Sequence, residues 1–231
     1  MKTKRVSEVS KAAGPSGGAV PSLRPRIVQA AGALFLSRGF IRVTSDEIAG
    51  RLGISKATLY KAFPGKEHIL RAVVRGIMSE IQAGLARILA DASLGFVEKM
   101  IALLSFLSVR MARFEPVLIR DLQRQVPGIW TEIEEFRREK IYKNFRIILE
   151  AGRREGYFRG DVDIDLLLAM FVSLVQELIN PAAILRSGRS PAEVFGSVIK
   201  VFFQGILTDK GRLDFADRTP GLFEPRKEGV S

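Results

Sequence analysis

Apolar positions recur every three or four residues along most of the chain, and that spacing predicts an all-α protein. No run of strict alternation is long enough to build a sheet. Ile27, Ala30, Ala31, Leu34 and Phe35 give one apolar face to a first helix from about Pro25 to Arg38. Proline suits its first position, and Gly39 stops it with Phe40 packing back. Thr44 or Ser45 caps a second helix, with Asp46 and Glu47 in the first turn, where the helix dipole favours acids. Its Ile48, Ala49 and Leu52 face inward. Gly53 takes a turn with positive φ, Ile54 plugs the core, and Ser55 caps a third helix from Lys56 to Phe63. Pro64-Gly65 ends that helix, and Lys66-Glu67 opens a long fourth. Further helices are expected near 66–91, 95–113, 116–125, 127–154, 163–185 and 191–208. Residues 209–231, with Pro220 and Pro225, read as a loose tail, and the first 22 residues as a mobile arm. The expected organisation is an arm (1–22), a three-helix head (23–72), a helical second domain (73–210) and a tail (211–231).

The third helix has an inner face filled by Leu59 and Phe63, which leaves Lys56, Ala57, Thr58, Tyr60 and Lys61 to face out. A helix of this size fits the DNA major groove, and its capped N-terminus can meet phosphate. Ser55 and Thr58 offer short hydroxyls and Lys56 and Lys61 supply charge. Tyr60 carries a hydroxyl long enough for the backbone, and Ala57 is small enough for close approach to bases. Thr44, Ser45 and Lys66 flank the path of the phosphates. Ser55 and Thr44 act as helix caps in the same reading, and His68 falls on the solvated start of the fourth helix.

Charge sharpens this picture because it is uneven. Of the formal +11, residues 1–75 hold 14 Lys+Arg against 4 Asp+Glu, and the remaining 156 residues hold 22 against 21. A basic head on a neutral body points to a polyanion for the first and another partner for the second. An anionic membrane surface is the competing partner, but no basic amphipathic helix with exposed aromatics stands out. In the arm, Lys2, Lys4, Arg5 and Lys11 serve either as a solvated tail or as contacts to phosphates or the minor groove.

The second domain is expected to pair with a copy of itself. Helix 163–185 is apolar nearly all round, and such a helix needs burial on every side. Helix 191–208 repeats the theme. Phe171, Val175, Ile179, Val198, Phe202 and Ile206 are the expected dimer contacts, the alternative being a core wholly within one chain. An effector pocket would place a few polar groups on apolar walls. Phe106, Arg110, Trp130, Tyr142, Phe145, Met170, Leu174 and Glu177 are the candidates, with Phe136, Gln176 and Asn180 nearby. Arg110 could equally pair with Glu80 or Glu177.

Residues 25–73 resemble the DNA-binding domain of TetR-type transcriptional regulators. The shared pattern is Gly39-Phe40, Thr44, Ile48-Ala49, Gly53-Ile54-Ser55, Thr58-Leu59-Tyr60, Phe63 and Lys66-Glu67-Leu70, in order and in register. Ala62 stands where the family often has histidine, and Gly65 where it often has serine or asparagine. The resemblance implies a homodimeric repressor that binds an operator through its head. The second domain would dimerise and usually hold a small apolar or amphipathic effector, whose binding would shift the fourth helix and splay the heads. A constitutive DNA-binding regulator without a ligand is the alternative.

Other chemistry is poorly supplied. The chain has no cysteine and one histidine, which removes disulfides, thiol nucleophiles and cysteine-bound metals. Asp161, Asp163 and Asp165 lack the glycine and closing glutamate of a calcium loop and read as a helix cap. No cofactor, metal site or catalytic residue is expected. No segment reaches the ~18 apolar residues of a membrane span, so a cytoplasmic location is expected.

Overall fold

The computed structural model describes residues 22–111, 113, 115–178, 183, 186 and 188–218, apart from the side chains of a few residues near 111, 175–178 and 191–192. The arm, with Lys2, Lys4, Arg5 and Lys11, lies outside these residues, as do Ile179, Asn180, Pro220, Pro225 and the side chains of Val175 and Gln176. In chain order the helices are α1 (Leu23–Arg38), α2 (Ser45–Leu52), α3 (Lys56–Ala62), α4 (Lys66–Ala90), α5 (Phe96–Met111) and α6 (Pro116–Gln125). After them come α7 (Pro127–Phe136), α8 (Tyr142–Arg154), α9 (Ile164–Leu178), α10 (Pro191–Ile206) and α11 (Asp209–Arg218). The only β pairing among the described residues is an isolated bridge between Phe158 and Leu207. No described helix is long and apolar enough to cross a membrane.

Local signals set most helix ends. Thr44 and Glu47 form a reciprocal capping box at α2, and Ser190 and Glu193 do the same at α10. Gly53 adopts the left-handed conformation (φ 64°, ψ 32°) that turns α2 into α3. Asp163 accepts the Leu166 amide at 3.0 Å and caps α9. Two expectations are corrected. The helix expected over 127–154 is interrupted by a π-helical turn, Arg137–Ile141. The tail is helical from Asp209 to Arg218 because Phe215 is fully buried and the Thr208 hydroxyl accepts the Gly211 amide.

Two apolar cores result. One holds α1, α2, α3 and the first turns of α4, with Ile27, Phe35, Ile48, Leu59 and Ile69 wholly buried. Burial of each such side chain favours folding by about 1.5–3 kcal/mol before entropy. This core also takes Leu118, Leu122, Val126 and Ile129 from α6 and α7, so the head is seated on the second domain rather than strung from it. The other core joins α4, α5, α8, α9, α10 and α11 around Phe145, Phe171, Phe202 and Phe203.

Candidate nucleic-acid interface

The reader is built by turning α3 outward over a filled core. Leu59 and Phe63 are buried beneath it, and Ala49 is buried where α2 crosses. Ser55, Lys56, Ala57, Tyr60 and Lys61 are exposed and Thr58 is half-buried. The Ser55 hydroxyl accepts the Thr58 amide at 3.0 Å and stands 2.8 Å from the Thr58 hydroxyl. The helix therefore presents a small hydroxyl pair at its N-terminus, where backbone amides favour an anion.

Its basic groups differ in their freedom. Lys56 bonds Asp46 at 2.8 Å across the turn, and that hydrogen bond raises its pKa. Both side chains are at least half-exposed, so a phosphate can replace the carboxylate. Lys61 is exposed and has no partner among the described residues. The Tyr60 hydroxyl donates to Ser45 at 3.1 Å, which holds the ring upright beside α2, while Ser45 itself is buried. Lys66, expected beside the path of the phosphates, is engaged within the protein. Its ammonium donates to the carbonyls of Phe40 (2.9 Å) and Val43 (2.8 Å) and sits 4.3 Å from the Phe40 ring centroid. Burial pulls its pKa down. It is a tie between α4 and the α1–α2 loop, and two of its three donors point inward.

Two residues that sequence reasoning missed complete the mounting. Arg24 donates to the Ala62 carbonyl at 2.7 Å and lies over the Phe63 ring, closing the C-terminal end of α3. Asp121 on α6 is buried, and its carboxylate accepts the amides of Phe40 (2.9 Å) and Ile41 (3.0 Å). Gly39 (φ 81°) makes room for it, since a Cβ there would stand 2.8 Å from the carboxylate oxygen. The α1–α2 loop is thus held by Asp121 from the second domain and by Lys66 from α4. No local pattern could reveal a bond spanning 80 residues.

Glu47 is pulled two ways at the foot of α2. The Thr44 amide bonds it at 2.7 Å and Arg38 at 2.8 Å, and these bonds hold its carboxyl below the ordinary 4.5. A depressed carboxylate stabilises the fold above its unfolded value and loses that contribution as pH falls through the lower folded value. Glu47→Gln should therefore melt earlier than wild type at neutral pH, and the gap should close on acidification below pH 4.5. Parallel melts that keep the same gap at every pH would contradict the assignment.

Beyond the head, α4, α6, α7, the π turn and α9 line a largely apolar, partly open cavity of ≈ 140 Å³. Trp130, Tyr142 and Phe136 line it; among the described side chains the other expected pocket residues do not. Phe145 lines a separate void of ≈ 40 Å³. Phe106 fills the space left by Gly84, and Arg110 lies 3.4 Å over the Phe106 ring instead of pairing with Glu80. Arg113 is the residue that meets Glu80, at 3.9 Å. Met170 and Glu177 are exposed, and Leu174 packs on the second core. Phe171, Val198, Phe202 and Ile206 are 4–6% exposed inside their own chain, so they cannot form the surface of a dimer. The opposite faces of α9 and α10 carry the exposed apolar groups: Leu166, Met170 and Val201 are 53%, 48% and 70% exposed.

Residues 27–73 match the family described as bacterial regulatory proteins, tetR family. The repressor KstR2 of Mycobacterium tuberculosis is 30% identical over 153 residues, which cover 65% of this chain and 76% of that protein. The solved structure of that organism's ketosteroid transcriptional regulator KstR2 aligns with a TM-score of 0.53 at 24% identity, covering 83% of this chain and 98% of its own. A TetR-family regulator from Agrobacterium tumefaciens aligns with a TM-score of 0.62 at 18% identity, covering 80% and 97%. The structural likenesses speak to the fold, and the sequence match with KstR2 speaks to descent. The chain belongs to the TetR family of bacterial DNA-binding transcriptional regulators.

Proposed function

We propose that the protein is a homodimeric repressor that a mostly apolar effector releases from its operator. The observation that carries this reading is the double duty of α6. Leu118, Ile119 and Leu122 on that helix line the cavity, while Asp121 between them holds the backbone of the α1–α2 loop. An effector that favours a cavity shape different from the empty one displaces α6, and the bonds to Phe40 and Ile41 carry the displacement into the head. The effector acts only through its different affinity for the two arrangements. A constitutive regulator has no need of a cavity beside this joint. The name of KstR2 refers to ketosteroids, and that of a structural neighbour from Bacillus halodurans to fatty acid degradation. Ketosteroids and fatty acids share the apolar character of these walls, and the volume here suits a smaller molecule of that character.

Two heads joined by a two-fold axis suit half-sites about 34–36 Å apart or a multiple of that distance. The outer faces of α9 and α10 support such a pairing. Beside Leu166, Met170 and Val201 stand small exposed residues, Ala169, Ser173, Gly196 and Gly205, and nothing lies within 4 Å of a Cβ placed at either glycine. Small residues let helices of two copies approach closely.

The direct test is retardation of DNA taken from around the protein's own gene, at low salt. Failure to retard any such fragment defeats the repressor reading. Lys61→Ala should weaken binding about equally across sequences and reduce the salt slope by roughly 0.9 if Lys61 neutralises one phosphate. A loss confined to one base position would place Lys61 on a base edge instead.

A further inference from the structure

Two polar groups of the apolar cavity make no hydrogen bond among the described residues. The Tyr142 hydroxyl is buried and makes no hydrogen bond among the described residues. Arg137 lines the same cavity, half-buried, with no ion pair or hydrogen bond among the described residues; its one close neighbour of note is the Trp130 ring, 5.4 Å away. Glu134 accepts the Trp130 indole N–H at 2.8 Å and attracts the Arg137 guanidinium without forming an ion pair with it among the described residues. Burial pulls the guanidinium below its usual pKa, yet an arginine does not give up its proton in a protein. A guanidinium turned toward apolar walls with no ion pair is poorly satisfied, and an unsatisfied buried hydroxyl is costly.

The backbone has been altered to bring these two groups together. In an α-helix a turn closes after 3.6 residues, so positions five apart diverge around the axis. Here the Tyr142 amide bonds the Arg137 carbonyl, the i→i+5 bond of a π turn. That turn stacks position 142 over position 137, and both side chains reach the cavity.

We propose that the cavity takes an apolar molecule bearing one carboxylate, and that the Arg137 guanidinium and the Tyr142 hydroxyl receive that carboxylate. The guanidinium supplies the charge and a planar donor fork, and the hydroxyl supplies one further donor. One positive group balances one negative charge; a doubly charged head would leave an excess in apolar surroundings. The volume is near that of a rigid apolar cavity that admits benzene, so a single ring or a short chain is the natural body. The inference rests on the reading of this cavity as the effector site.

Trp130 is the only tryptophan of the chain and lines the cavity, so its fluorescence reports occupancy directly. The full-length protein, free of DNA, is titrated with 4-phenylbutyrate and octanoate, with their neutral amides, and with the amines of matched length. The acids should bind at least tenfold more tightly than the amides, and the amines most weakly. Arg137→Gln should bring the acids down to the level of the amides, and Tyr142→Phe should weaken the acids several-fold. Equal affinity for acid and amide, or no response to either acid at millimolar concentration, overturns the proposal. The wild-type comparison needs no variant, so a substitution that misfolds cannot obscure the result. Failure here leaves the DNA-binding reading intact, because no DNA is present. Acid binding that leaves retention on DNA unchanged supports the pocket chemistry and refutes only the release step.

Discussion

Val201→Glu is expected to yield a folded monomer that no longer holds a two-site operator. Val201 is 70% exposed on α10 and lies outside the core of its own chain, so the substitution should spare the fold. In a two-fold interface the new carboxylate appears twice, and each uncompensated buried charge costs on the order of 3–5 kcal/mol. The dimer should weaken by a factor of ~10⁴ or more. Operator affinity should fall with it, since each half-site then has to be found separately. Sedimentation measures the mass and gel retardation the affinity. Leu213→Glu is the control, at an equally exposed residue on α11. A Val201→Glu protein that remains dimeric would move the interface away from the outer faces of α9 and α10.

Asp121→Ala should have the second large effect. The amides of Phe40 and Ile41 lose their common acceptor inside the protein, and each orphaned donor costs about 1–3 kcal/mol. For a chain of this size that lowers the melting temperature by roughly 5–20 °C. Asp121→Asn keeps a carbonyl oxygen in place and removes the charge near Lys66, so it should cost less and separate geometry from electrostatics. The more telling measurement concerns coupling. Ligand occupancy, read from Trp130, should persist in both variants. The dependence of DNA affinity on ligand should shrink, most in the alanine. A variant with an unchanged melting temperature would show that the loop does not rely on this carboxylate. One with normal ligand response would show that the signal travels along α4 alone.

The head was readable from sequence because its signals are local. Thr44 with Glu47, Gly53 and Ser55 each act within four residues of themselves, and the period of α1 to α3 leaves one face for the core. The reading failed wherever the deciding partner is distant or the pattern is saturated. Nothing nearby in sequence announces that Lys66 bonds the carbonyls of Phe40 and Val43. Helices α9 and α10 are so apolar that periodicity does not separate inner from outer faces, and Phe171, Val198, Phe202 and Ile206, expected at a dimer surface, lie in the core of their own chain. The π turn is invisible to a pattern of threes and fours that shifts by one residue. Helix α11 is polar overall, and its single anchor, Phe215, is too little for a pattern.

The shortness of α3 has its own consequence. Seven residues at 1.5 Å each extend about 10 Å, the rise of roughly three base pairs. Three base pairs carry very little information against the 10⁶ or more competing positions of a genome. A single copy of this helix therefore cannot designate one address on a chromosome. The selectivity has to be composed, by multiplying several short words read at fixed separation.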